Sequence, residues 1–160
     1  MTQAGHKGQT LQVRLSLLAL QKEMIAILKD QFEKENGRAV PPGEWLQVLM
    51  MSQRYAWLRD LTSLITDIDI LTELEEVSDR QAEVVRSEIE RLLFDTTDSS
   101  EFSKQYKNQL RAESHLLPLH GTVKSSIAPL PKKSSAIEPA LTERKTWNEL
   151  HKSQSRKKRN

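Results

Sequence analysis

"YAWLRDLTSLITDID", residues 55–69, decides the fold. In and just beyond it, Trp57, Leu58, Leu61, Leu64, Ile65, Ile68 and Leu71 recur at steps of one, three, three, one, three and three. That is helical period, with none of the alternation a strand would show. Arg59, Asp60, Thr62, Ser63, Thr66, Asp67 and Asp69 take the opposite side. The stretch reads as the central beam of a helical core, capped by Ser52 and fading through the acidic "TELEE" of 72–76.

Working toward the N-terminus, "GRAVPPGE" (37–44) is a loop: proline pushes the preceding Val40 out of the α region, and a second proline stiffens the turn. The segment Glu44–Met51 is almost wholly apolar and two turns long, too short to stand alone, so it is expected to be clamped in the core. The first long helix runs from Thr10, a suitable N-cap, to Gly37, a C′ residue. Leu11, Leu15, Leu18, Ile25, Leu28 and Phe32 form one stripe on it, and Leu17, Leu20, Met24 and Ile27 a second. Together they exceed the ~100° arc of a surface helix. Such a helix is either central in a bundle or half of a homodimer, and the layering of domains favours the first.

Toward the C-terminus, Ser78 and Gln81 have capping-box spacing, with Asp79 at the positive helix end. Ala82, Val85, Ile89, Leu92 and Leu93 follow as one stripe up to Phe94. Asp98 and Glu101 repeat the capping pattern before Phe102, Tyr106 and Leu110, and "SHLLPLHGTVKSSI" (114–127) adds a last helix with Pro118 early in it. There is no internal repeat.

The totals agree. The chain has 160 residues, room for one ordinary domain, and only 5 Gly and 6 Pro interrupt it. The absence of cysteine excludes disulfides, thiolate metal sites and cysteine nucleophiles, and fits a reducing compartment. No run approaches the ~18 apolar residues of a membrane span. The N-terminus reads as the start of an amphipathic helix rather than a signal peptide, so a cytoplasmic location is expected.

Charge is uneven. Residues 128–160 hold nine Lys or Arg against three Glu, a net +6; the remainder holds 15 basic and 19 acidic residues, a net −4. The expected organisation is a disordered N-terminus (1–9), a helical domain (10–127) and a basic, largely disordered tail (128–160). One island stands out in the tail: Pro139 as an N1 residue, with Leu141, Trp147 and Leu150 on one side of a short helix near 139–152, able to dock on a partner or on the bundle. The fold class read from all this is an all-α bundle of five or six helices followed by a flexible basic C-terminal tail.

Chemistry-bearing patterns are few. His115 and His120 are five apart, a poor spacing for a helical metal pair, so no metal site is expected. Asp69, Glu73 and Glu76 make one acidic face and Asp60 and Asp67 another; both read as solvated or partner-facing. Arg59 follows an aromatic pair and suits an ion pair with Glu44 at the edge of the core; with Tyr55 and Asp60 it is also a candidate partner contact. Trp147 and Leu150 are the tail's partner-binding candidates, and Lys152, Arg156, Lys157, Lys158 and Arg159 its polyanion-binding candidates. No phosphate loop, G-x-S-x-G or H-E-x-x-H is present, so neither catalysis nor a cofactor is expected.

The segment from "PPGEWLQVLM" through "YAWLRDLTSLITDID" resembles a group of small bacterial helical proteins with no established activity, and Phe102, Tyr106, Gln109 and His120 match the second half of their pattern. The resemblance covers roughly residues 10–127. It implies bacterial origin and a small helical bundle, and no activity.

The leading functional expectation is therefore a non-enzymatic interaction or adaptor protein that binds a protein partner through the bundle surface. The alternatives are a nucleic-acid-associated protein using the basic tail, and a ligand-binding or enzymatic bundle with a pocket near Trp45, Trp57 and Arg59.

Overall fold

The computed structural model describes residues 4–132 and 140–159, with the side chains of residues 4, 5, 140, 141, 158 and 159 left out. It is all-helical: α1 (Ala4–Asn36), α2 (Pro42–Met51), α3 (Arg59–Thr72), α4 (Asp79–Ile89), α5 (Glu101–Ala112), α6 (Leu116–Ile127) and α7 (Ala140–Arg159). A 3₁₀ segment (Gln53–Leu58) leads into α3, and a π turn (Glu90–Phe94) closes α4. Seven α-helices, rather than five or six, stand among the described residues.

The central position foreseen for α1 is what the structure gives it: it lies against α6, α3 and α4. Of its two stripes, Leu17, Leu20, Met24 and Ile27 are buried, whereas Leu11 and Leu15 of the other stripe are exposed. Asn36 ends the helix, and Gly37 takes φ 68°, where any Cβ would be strained. The amide of Arg38 then donates to the Glu33 carbonyl at 3.3 Å, the long bond of a Schellman cap. The beam reading of α3 holds: Leu61, Leu64, Ile65, Ile68 and Leu71 are all buried. Ser78 and Gln81 form the full capping box of α4, each side chain bonding the other's backbone amide.

Four expectations are corrected. Residues 4–9 are helical, and Thr10 is no cap: it is fully buried, its hydroxyl donating to the His6 carbonyl at 2.6 Å. Residues 1–3 lie outside the described residues. In α2 only Trp45 is buried, while Leu46, Met50 and Met51 are exposed, so the helix is pinned by one indole rather than clamped all round. The cap of α5 is Ser100, accepting from the Ser103 amide at 3.2 Å; Asp98 instead bonds Ser100. The last correction is the largest. Residues 140–159 form a 20-residue helix lying on α3 and α4, not a disordered tail. Pro139 falls outside the described residues. A basic composition dominated by polar residues hid two buried anchors, Arg144 and Trp147.

Candidate interaction site

The seam of α7 with α3 and α4 gathers polar groups that are far apart in sequence. Arg144, 5% exposed, donates from Nε to Asp67 Oδ2 (2.7 Å), from one terminal nitrogen to Glu88 Oε1 (2.9 Å) and from the other to Ser63 Oγ (3.1 Å). This is a planar guanidinium used at all three nitrogens, which lysine could not imitate. Glu88 is buried too, and its second oxygen accepts from Arg91 at 2.9 Å; that bond raises the Arg91 pKa from its ordinary value. One turn along α7, Trp147 is fully buried, and among the described residues its indole N–H meets no acceptor. Leaving that donor unmet costs about 1–3 kcal/mol, so the slot recognises the ring by shape and not by hydrogen bonding.

Rim contacts finish the seam. Glu143 pairs with Arg80 at 3.2 Å, His151 with Glu73 at 2.6 Å, and the Gln154 side chain accepts from the Glu75 amide at 3.1 Å. The two acidic faces read as solvated or partner-facing are thus partly taken within the chain: Glu73 by His151 and Asp69 by Arg14 at 2.7 Å on one, and Asp67 by Arg144 on the other. Glu76 remains exposed.

The structure separates the residues singled out around the beam. Tyr55 is buried edge-on against Trp45 (5.4 Å between ring centres), which in turn meets Phe32 at 5.7 Å. Burial pushes the Tyr55 phenol pKa up, and among the described residues its hydroxyl meets no partner. It is core, not contact surface. Arg59 and Asp60 are exposed, and among the described residues neither forms an ion pair. The expected Arg59–Glu44 pair does not form. Glu44 pairs with Arg38 at 2.7 Å, and Arg54 takes Glu35 through both terminal nitrogens (2.5 and 2.6 Å). Trp147 is sequestered in the seam, and Leu150, 42% exposed, sits at its edge. Lys152, Arg156 and Lys157 are exposed. The side chains of Lys158 and Arg159 lie outside the described residues. No sequence signal marked Arg144, Glu88 or Ser63, because the motif they form is spread over 82 residues and exists only once α7 docks.

A second aromatic cluster runs Trp57, Phe102, Tyr106, His120, Phe94. Phe102 and Tyr106 stack at 5.5 Å, and Phe94 lies 4.5 Å from the imidazole of His120. The Tyr106 hydroxyl is 2.7 Å from His120 Nδ1. Burial raises the Tyr106 pKa, and burial with Lys124 nearby lowers that of His120, so both are held neutral. The adjoining hollow of about 510 Å³ is lined by Ser87, Glu90, Arg91, Phe94 and Asp95 and by neither member of the pair. The cluster therefore offers packing rather than an open acid–base centre. Among the described residues no group of three His, Asp or Glu is placed to hold a metal, and no helix is long and apolar enough to cross a membrane.

A different surface is open. Between α1 and α6 runs a groove of about 570 Å³ lined by Gln9, Gln12, Leu15, Ser16, Ala19, Thr122, Ser125, Ser126 and Pro129, none of them charged. Small residues shape it: the Ser16 and Ser126 hydroxyls meet at 2.9 Å, bringing the two helices close. Leu11 and Leu15, one turn apart on α1, are 38% and 54% exposed. No protein-family model, no curated protein and no solved structure matches this chain.

Proposed function

We propose that the protein is a non-enzymatic interaction module that binds a protein partner through the α1–α6 groove. One observation supports this reading above the others: on a chain with 29% charged residues, this groove is wholly uncharged and is flanked by exposed Leu11 and Leu15. An uncharged concavity edged by exposed leucine offers room for a partner's apolar side chain on an otherwise charged surface. An uncharged lining disfavours a polyanion and suits the apolar face of an amphipathic helix from the partner, its leucine-sized side chains lying between Gln12 and Thr122. The kinship to small bacterial helical proteins belongs to the same proposal.

A photo-crosslinking residue placed at Leu15 in the native host tests it. The expected result is one discrete adduct with a second protein, lost when Ala19→Arg puts a charge in the groove and absent when the probe sits at exposed Lys104 on α5. A crosslink only to another copy of the chain, or the same adducts from both positions, overturns the reading.

The polyanion alternative has its own observation. Lys145, Lys152, Arg156 and Lys157 are exposed on the docked α7, and among the described residues none pairs with a carboxylate. Glu149 interrupts this stripe, and the acidic turn at Glu73, Glu75 and Glu76 adjoins its far end. Duplex DNA binding that falls steeply between low and physiological salt, and that the combined Lys152, Arg156 and Lys157 to Ala variant abolishes, would favour it over the groove reading.

A further inference from the structure

Helix α7 is built as a ligand for the rest of the molecule. Across residues 142–157 only Arg144 and Trp147 are buried, and arginine and tryptophan are the residue types that dominate binding hot spots. Every hydrogen bond and ion pair that α7 makes outside itself, among the described residues, ends between Ser63 and Glu88. Its tether comes from elsewhere, after Leu130, where Arg86 fixes the chain by bonding the Ala128 and Leu130 carbonyls (3.1 and 2.6 Å). Those polar contacts are the ones that departure of α7 would break, while the bonds from Arg86 to the chain ahead of the tether would stay in place.

The site it would leave is prepared for refilling. Glu88 keeps Arg91 when Arg144 departs, so its buried carboxylate is not stranded. Asp67 and Ser63 lose the only cation and donor they meet among the described residues, and an indole-shaped slot opens. What restores all of these together is a helix with arginine and tryptophan three residues apart, in the geometry α7 already has. The unmet indole N–H lowers the gain from docking and so eases release.

We propose that the α3–α4 groove is a helix receptor in which the α7 of a second copy replaces the chain's own, giving a dimer by reciprocal exchange. Seven residues separate Lys132 from Ala140, and a chain of that length can span at most roughly 28 Å. The exchange uses a face apart from the α1–α6 groove, so the two proposals stand or fall separately.

Two full-length variants decide it. Asp67→Lys spoils the groove and keeps α7; Trp147→Ala spoils α7 and keeps the groove. Asp67 is part-exposed, and Trp147 is α7's contribution to a buried cluster whose other members lie on the rest of the chain, so both chains are expected to fold. Warmed together and analysed by sedimentation, they should form a one-to-one heterodimer with doubled mass, while each alone stays at the mass of one chain. Adding Arg144→Glu to the Asp67→Lys chain should return the mixture to monomers. A mixture that stays monomeric, or a dimer indifferent to Arg144→Glu, overturns the proposal. As a check without variants, the mass of the wild-type chain should rise toward two copies between micromolar and millimolar concentration after warming; a dimer equally present in Trp147→Ala alone would assign the contact to another face and also overturn it.

Discussion

Helices α3 and α7 lie side by side, yet they are held in opposite ways. α3 buries a continuous row, Leu61, Leu64, Ile65, Ile68 and Leu71, each sharing its contacts with the next turn. α7, six residues longer, buries an arginine and a tryptophan among residues 142–157 and leaves the other side chains of that stretch to the rim. The first is stabilised by area removed from water, which is undirected and tolerant of small shifts. The second depends on two side chains in fixed geometry, one of them charged. The comparison teaches that the molecule has a constitutive core and a helix attached to it at two points, and that these should fail differently.

The largest failure is expected in the beam. Leu61 is fully buried, so Leu61→Ala should cost about 2–5 kcal/mol. The loss should appear as a lower melting temperature of the whole chain, with amides of every helix exchanging faster. A marginal shift would remove the distinction between beam and attachment from the other side. Trp147→Ala deletes an even larger buried group, but its cost stops at the free energy of docking α7. Hydrogen exchange should show α7 amides losing protection at least tenfold while those of α1 and α4 keep theirs. Uniform loss across all helices would mean that α7 is as integral to the core as α3.

Arg144→Met probes the charged anchor. Asp67 is part-exposed and can be hydrated, and Glu88 retains Arg91, so the expected cost is about 1–3 kcal/mol, below that of an abandoned buried charge. Denaturant melts would read it. A cost as large as that of Leu61→Ala would show that Arg91 does not compensate Glu88.

How much of this could be read from the chain follows the same division. α3 was legible because Leu61, Leu64, Ile65, Ile68 and Leu71 repeat its period, with Trp57 and Leu58 just ahead of it in the 3₁₀ segment, and α4 because Ser78 and Gln81 stand at cap spacing. α7 was legible only as an island around Trp147, since a helix with two anchors leaves no periodic trace and Arg144 looks like any other basic residue of the tail. The overreading of α2 has the mirror-image cause. Consecutive Leu, Met and Met suggested full burial, but a short helix at the edge of a bundle has only one side facing inward. The α1–α6 groove was invisible because it is made of small and uncharged residues, Ala19, Ser125 and Thr122 among them, whose meaning lies in what they leave open.

A smaller effect is expected at the second aromatic cluster. The His120 pKa is lowered from 6.5 by burial, so the folded state favours the neutral ring and takes up fewer protons than the unfolded chain. The stability this contributes is complete above pH 6.5 and declines as pH falls below it. Once the imidazole is charged both ring nitrogens carry protons, so Nδ1 can only donate toward the Tyr106 hydroxyl 2.7 Å away. Wild type should therefore lose more melting temperature between pH 7 and pH 5 than His120→Gln, which keeps a hydrogen-bonding group and cannot titrate. Equal slopes would place the imidazole in water.

The smallest effect is expected where the sequence first pointed. Arg59 opens α3 beside Trp57 and Leu58, but it is exposed, Glu44 is taken by Arg38, and the contacts of α7 with α3 begin at Ser63, a turn further on. Arg59→Ala removes no buried group and no ion pair seen among the described residues, so its change in stability should stay within about 0.5 kcal/mol, as for an ordinary surface position. The same variant should leave the Leu15 crosslink unchanged if the α1–α6 groove is the binding face. An adduct lost with Arg59 and retained with Ala19→Arg would move the binding face to the first turn of α3, where the arginine would then act on a partner rather than on the fold.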